Sequence, residues 1–164
     1  MCIRDRGWSD QPFMLNGSED HAAIIVERMF VHAESEMRIL TQRLDPAIYE
    51  ADGVIQQLNS FASNPETQTK IIVENISDEA LSAHKIFRIS KRLPNVEVRR
   101  LPNDISSELK FNFSVMDRRG YRFESDKNKV NAIVRFDDAA FTSDVLDYFD
   151  GLYGASASTD QIAA

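Results

Sequence analysis

The sequence predicts an α/β (α+β) fold with a mixed β-sheet flanked by helices, and three observations carry that prediction. Helical and strand-like apolar periodicities alternate through the first hundred residues, which implies βαβ crossovers and parallel pairing. After Pro102 the rhythm changes to short alternating strands separated by turn residues, which implies antiparallel hairpins. The chain of 164 residues, 43% hydrophobic and 27% charged, is long enough for one sizeable core and short for two.

The elements follow in order. Ser18 is a helix N-cap, with Glu19 and Asp20 at the positive end of the macrodipole, and Ala22, Ile25, Val26, Met29 and Ala33 form one apolar stripe. Met37 to Leu44 reads as a strand. Asp45-Pro46 is a turn or helix start, and Val54, Ile55, Leu58, Phe61 and Ala62 then repeat as an amphipathic helix that stops at Asn64-Pro65. Lys70 to Glu74 suits a central strand. Residues 78–92 read as one helix with Ala83, Ile86, Phe87 and Leu93 inward, and Val96 to Leu101 as the next strand.

Leu109, Phe111, Phe113 and Val115 alternate with Lys110, Asn112, Ser114 and Met116, so this strand is expected to bury the first set and present the second. Asp117-Arg-Arg-Gly120 fits a type I turn leading into Tyr121 to Ser125. Lys129 to Phe136 gives a further strand. Asp137 or Asp138 caps a last helix whose Phe141, Val145, Tyr148, Phe149 and Leu152 recur along one side. The opening Met1-Cys-Ile-Arg-Asp-Arg6 reads as foreign to the domain, so residues 1–17 are expected to be an artefact or disordered leader, 18–153 the domain, and 154–164 a flexible polar tail.

Composition removes several classes of function. With 26 acidic against 19 basic residues the net charge is −7, which predicts no general nucleic-acid binding and no attraction to anionic membranes. No apolar run is long enough to span a bilayer, so a cytoplasmic protein without membrane contact is expected. The lone cysteine is Cys2; without that opening, thiolate zinc sites and cysteine nucleophiles are excluded, and neither metal nor cofactor is expected. His32-Ala-Glu34 lacks the Pro-Cys-x-x-Cys of zinc deaminases, and Walker A, Gly-x-Ser-x-Gly and Gly-x-Gly-x-x-Gly patterns are absent.

The element order, with Leu44-Asp-Pro46, Arg92-Leu-Pro94, Arg100-Leu-Pro102 and Asp117-Arg-Arg-Gly-Tyr121, resembles one half of the phospholipase D-like fold, and more narrowly a family of uncharacterised bacterial single domains built on that half. The resemblance brings with it the motif His-x-Lys-x-x-x-x-Asp, in which histidine serves as nucleophile or acid and lysine holds the phosphoryl oxygens. Set on Asp117, that motif puts Lys110 at the histidine position and Asn112 at the lysine position. A protonated lysine is a poor nucleophile and a neutral asparagine supplies no countercharge. The resemblance therefore implies a degenerate site on a retained scaffold: a binding or partner-interaction module that is not an enzyme. The alternative is a divergent phosphodiesterase or phosphotransferase acting on a phosphate ester.

Lys110, Asn112 and Ser114 read either as a solvated sheet face or as a remnant pocket for a phosphate-containing ligand, and Asp117 either orients that site or simply serves its turn. Arg118, Arg119 and Arg122, near Lys127 and Lys129, form a basic cluster that docks an anion or only solubilises. His84 is a boundary histidine unless it lies beside Lys110 in space. Because active members of the superfamily pair two halves, the resemblance also implies a homodimer or a protein partner.

Overall fold

A computed structural model of the protein describes residues 14–164, so most of the expected leader lies outside the described residues. The expected fold class is found: a mixed sheet of eight strands with helices on both faces. The elements are β1 (Met14–Asn16), α1 (Glu19–His32), β2 (Glu36–Thr41), α2 (Pro46–Tyr49), α3 (Asp52–Ala62), β3 (Gln68–Val73), α4 (Asp78–Ala83), α5 (Lys85–Arg92), β4 (Val96–Arg100), α6 (Asn103–Ser106), β5 (Asn112–Met116), β6 (Gly120–Glu124), β7 (Ala132–Arg135), α7 (Ala139–Ala155) and β8 (Ala157–Ser158). The strand order is β1-β7-β6-β5-β2-β3-β4-β8.

The two halves of the sheet reflect the change of rhythm at Pro102. β2, β3 and β4 pair in parallel through helical crossovers, whereas β5, β6 and β7 form an antiparallel meander. β5 joins them by running antiparallel to β2, with Arg38 opposite Val115 and Leu40 opposite Phe113. The carboxyl ends of β2 and β3 therefore lie beside the start of β5 and the end of β6.

Each face has its own core. On one, the α1 stripe packs with Val54 and Leu58 of α3 and Ile86 and Phe87 of α5 against Met37, Ile39, Ile71, Val98 and Met116. On the other, Val145, Leu146, Phe149 and Leu152 of α7 cover Leu40, Ile72, Phe113 and Val115. Phe141 and Tyr148 of the expected α7 stripe stay exposed at its edge, packing at a tilt on Tyr121 and Phe111 with ring centres 4.5 and 5.5 Å apart.

Three expectations need correction. Residues 78–92 are two helices, because His84 adopts an extended conformation (φ −73°, ψ 135°) that ends α4 and caps α5. The turn after β5 is built one residue earlier than expected: Arg119 N–H reaches Met116 carbonyl at 3.4 Å, and Asp117 takes a positive φ of 53°, a conformation that Asp tolerates better than most residues. Lastly, the segment expected as a polar tail carries the end of α7 and the edge strand β8; Thr159 and Ile162 are buried there, with the Thr159 hydroxyl donating to Val98 carbonyl at 2.6 Å.

Candidate functional site

The second face of β5 is not solvated. β5 is an inner strand with helices on both sides, so Asn112, at 9% exposure, and Ser114, at 0%, point into the protein. Asn112 Oδ1 accepts from Gln42 N–H at 3.1 Å, and its Nδ2 donates to Glu124 Oε2 at 2.8 Å. Ser114 meets the phenol of Tyr49, whose ionisation burial pushes up. Lys110, by contrast, is exposed and precedes the strand. Lys110 and Asp117 lie at opposite ends of β5, separated by roughly 23 Å of extended chain.

Asp117 works at the far end. Its carboxylate accepts from the backbone N–H groups of Glu34 (3.1 Å), Ser35 (2.9 Å) and Glu36 (3.0 Å), and from the Ser35 hydroxyl at 3.0 Å. Burial alone would raise its pKa, yet these donors hold it below the ordinary carboxylate value. The side chain thus clamps the β5–β6 hairpin to the entrance of β2 and touches no residue of the opposite end.

The basic cluster read from the sequence is dispersed. Arg118 is exposed and Arg119 half-buried beside Asp117, while Arg122 is almost fully buried and pairs with Glu124 at 2.6 Å, with Val130 carbonyl at 3.1 Å. Arg122 is therefore internal, neutralising the one carboxylate that orients Asn112. Lys127 and Lys129 sit at the other end of the sheet from Arg118. His84 is committed to backbone groups: Nε2 donates to Leu44 carbonyl at 3.0 Å and Nδ1 accepts from Ile86 N–H at 3.1 Å, which fixes the neutral tautomer. Burial lowers its pKa, against the nearby Glu50 and the Leu44 carbonyl that raise it.

What the fold does assemble is a cavity of about 100 Å³ at the carboxyl end of β2, beside the start of β5 and the end of β6. Thr41, Gln42, Tyr49, Asn112 and Glu124 line its wall, with Arg43 and Lys129 among its charged residues. Lys127 also lines it, but turns its ammonium inward to Glu74 Oε1 at 3.0 Å and Ser106 carbonyl at 3.1 Å. Glu74 is fully buried; Ser106 Oγ donates to the same oxygen at 3.1 Å, while Oε2 has no hydrogen-bond partner among the described residues. Lys127 N–H also donates to Lys110 carbonyl at 2.8 Å, so the β6–β7 loop closes over this end of the sheet. Sequence reasoning missed Glu74, Glu124 and Tyr49. The available signal was Glu74 itself, a carboxylate at the carboxyl end of an apolar central strand, where α/β sheets place their sites. Among the described residues no group of His, Cys, Asp and Glu is arranged to hold a metal ion.

Comparison with known proteins bears on the fold. The profile of a domain of unknown function (DUF7931) matches residues 18–163. None of the curated proteins matches the sequence. Among solved structures, the phospholipase D family member Nuc from Salmonella typhimurium superposes with a TM-score of 0.65 at 12% identity, over 89% of this chain and 96% of Nuc. NucT from Helicobacter pylori gives 0.64 at 14%, over 89% and 98%. The archaeal chromatin protein TrmBL2, described as having a novel mode of DNA binding, gives 0.70 at 12%, over 93% of this chain; the chain spans 55% of TrmBL2. The fold is phospholipase D-like.

TrmBL2 also corrects the expectation of no general nucleic-acid binding. A DNA-binding protein contains this same fold, so the exclusion drawn from a net charge of −7 does not stand. Net charge sums the whole surface, whereas phosphate contacts depend on where the cations lie. Among the described residues, no helix is long and apolar enough to cross a membrane.

Proposed function

The chain belongs to the DUF7931 family of domains of unknown function, and on that premise, joined to a phospholipase D-like fold, we propose that it is a non-catalytic domain that binds rather than cleaves. One observation carries this reading. The two positions that would hold the nucleophile and the phosphate-binding lysine carry Lys110, exposed before the strand, and Asn112, whose amide is fully engaged by Gln42 and Glu124. No histidine replaces them. His84 has both ring nitrogens committed to backbone groups, and His21 and His32 lie on α1, where His32 Nε2 meets Arg28 at 3.1 Å.

The polar groups that remain line a cavity suited to recognising a small polar ligand, its wall held in place by Asn112, Glu124 and Tyr49 and its charges of both signs supplied by Arg43, Asp45 and Lys129. Occurrence of the fold in a DNA-binding chromatin protein supports retention of the scaffold for binding. The test is hydrolysis of bis(p-nitrophenyl) phosphate by the full chain. Release of p-nitrophenol no faster than in protein-free buffer is the expected result. Turnover that Lys127→Ala or Tyr49→Phe abolishes while the fold is retained would overturn the reading in favour of a divergent phosphodiesterase.

A further inference from the structure

On a chain of net charge −7, α5 is an exception. Its eight residues, Lys-Ile-Phe-Arg-Ile-Ser-Lys-Arg, contain four cations and no acid. The apolar side is spent on the core, with Ile86 and Phe87 at 0% exposure and Ile89 at 4%. Lys85, Arg88, Lys91 and Arg92 all lie on the exposed side, at the i, i+3, i+6 and i+7 spacing that aligns side chains along one helix face. The Lys91 ammonium is held by the carbonyls of Thr159 (3.2 Å) and Asp160 (3.0 Å), and Arg92 reaches Asn59 Oδ1 at 3.5 Å. Among the described residues none of the four forms an ion pair, although most arginines elsewhere in the chain do. Residues 53–64 of α3 and its exit contain no charged residue and are rich in amides and hydroxyls; acidic neighbours stand at the two ends of α5, where Glu50 Oε1 accepts from Lys85 N–H at 2.9 Å and Asp160 lies beside Lys91.

Helix stability explains only part of this arrangement. Lys91 and Arg92 occupy the last turn, where cations favour the negative end of the macrodipole. Lys85 is in the first turn, where a cation is unfavourable, and Arg88 gains nothing from either end. Both side chains are exposed and form no ion pair among the described residues, although the Glu50 carboxylate accepts from the Lys85 backbone N–H; exposed cations of this kind exchange small counterions for a polyanion.

We propose that the exposed face of α5 docks the phosphate backbone of a nucleic acid. Lys85, Arg88 and Arg92 are the phosphate contacts, and the amides of α3 flank them. The face spans about 10 Å along the helix axis, enough for roughly three phosphates of one strand at 3.4 Å each. Recognition is by backbone charge without base readout, because a cationic helix face with no aromatic or bidentate amide aimed from it contacts phosphates alone. An anionic bilayer is the poorer fit: an interfacial helix inserts its apolar side, and here that side is buried in the core. This surface lies on α5, apart from the cavity residues, so the assignment is independent of whether the cavity binds or cleaves.

The test is fluorescence anisotropy of a labelled duplex DNA titrated with the full chain. Three phosphate contacts predict a log–log salt slope of about −2.7, an affinity loss of roughly 40-fold between 50 and 200 mM salt. Arg88→Glu, at a side chain without a partner among the described residues, should abolish most binding at 50 mM with an unchanged thermal melt. Lys85→Ala should lower the slope by about one. Lack of saturable binding at 50 mM, full affinity in Arg88→Glu, or a comparable loss in Lys129→Glu at the cavity would each overturn the proposal. So would binding to phosphatidylglycerol vesicles without binding to the duplex.

Discussion

His84 illustrates how one side chain determines local chain path and pH response together. Its two ring nitrogens hold the Leu44 carbonyl and the Ile86 N–H, tying a loop residue with φ 55° to the start of α5. Burial lowers its pKa from the ordinary 6.5. The unfolded chain therefore binds the proton more readily, and stability contributed by the neutral ring is present above about pH 6.5 and lost as pH falls below it toward the folded-state value. His84→Gln, which retains one donor and one acceptor, should flatten the fall in thermal midpoint between pH 7 and pH 5. A variant with the same pH slope as the parent would assign that slope to other groups. The role was not legible in the sequence: His84 flanks an apolar stripe, which marks a boundary position, but nothing in the chain reports that a loop carbonyl forty residues earlier comes within 3.0 Å. Lys110 failed for the opposite reason. The alternation extended the strand back to it, yet the strand begins only at Asn112, leaving it outside.

At the scale of elements, periodicity read most of the chain correctly because each helix and strand buries one predictable side. The start of α1 after Ser18 and the stripe Ala22, Ile25, Val26 and Met29 were visible in the sequence. The break between α4 and α5 was hidden, since Ala83 and Lys85 continue a helical pattern and only the imidazole cap interrupts it. β5 was misread because strict alternation signals a half-solvated strand, whereas here Asn112 is buried and satisfied by Gln42 and Glu124, and Ser114 is buried beside Tyr49. The β6–β7 loop belongs with these elements, since Lys127 anchors it to buried Glu74 and to α6. Lys127→Met removes one partner of a buried pair and leaves a carboxylate without its countercharge, which costs about 3–5 kcal/mol. Chemical denaturation should show that loss, and Lys127→Met with Glu74→Leu should recover much of it. Failure of the double variant to recover stability would mean that Lys127 acts through Ser106 alone.

The molecule as a whole is two sheet halves sewn together at β2 and β5, and the order of elements made that division readable before any contact was known. Charge was the quantity that misled, because −7 is a property of the sum and α5 departs from it locally. The Asp117 clamp has a consequence for how fast the protein comes apart. It closes on Glu34, Ser35 and Glu36 across 81 to 83 residues of sequence, and contacts of such separation carry a large loop-closure cost that is repaid only after both halves are in place. The clamp is thus a late event in folding and an early one in unfolding. Asp117→Asn preserves the turn and removes charge-assisted bonds worth about 1.5–3 kcal/mol. It should leave the refolding limb of a stopped-flow chevron nearly unchanged while steepening the unfolding rate by roughly 10- to 100-fold. Slowed refolding would instead place the hairpin among the first contacts made. On the expected outcome this turn, at the opposite end of β5 from the cavity, is the latch that determines the lifetime of the native state.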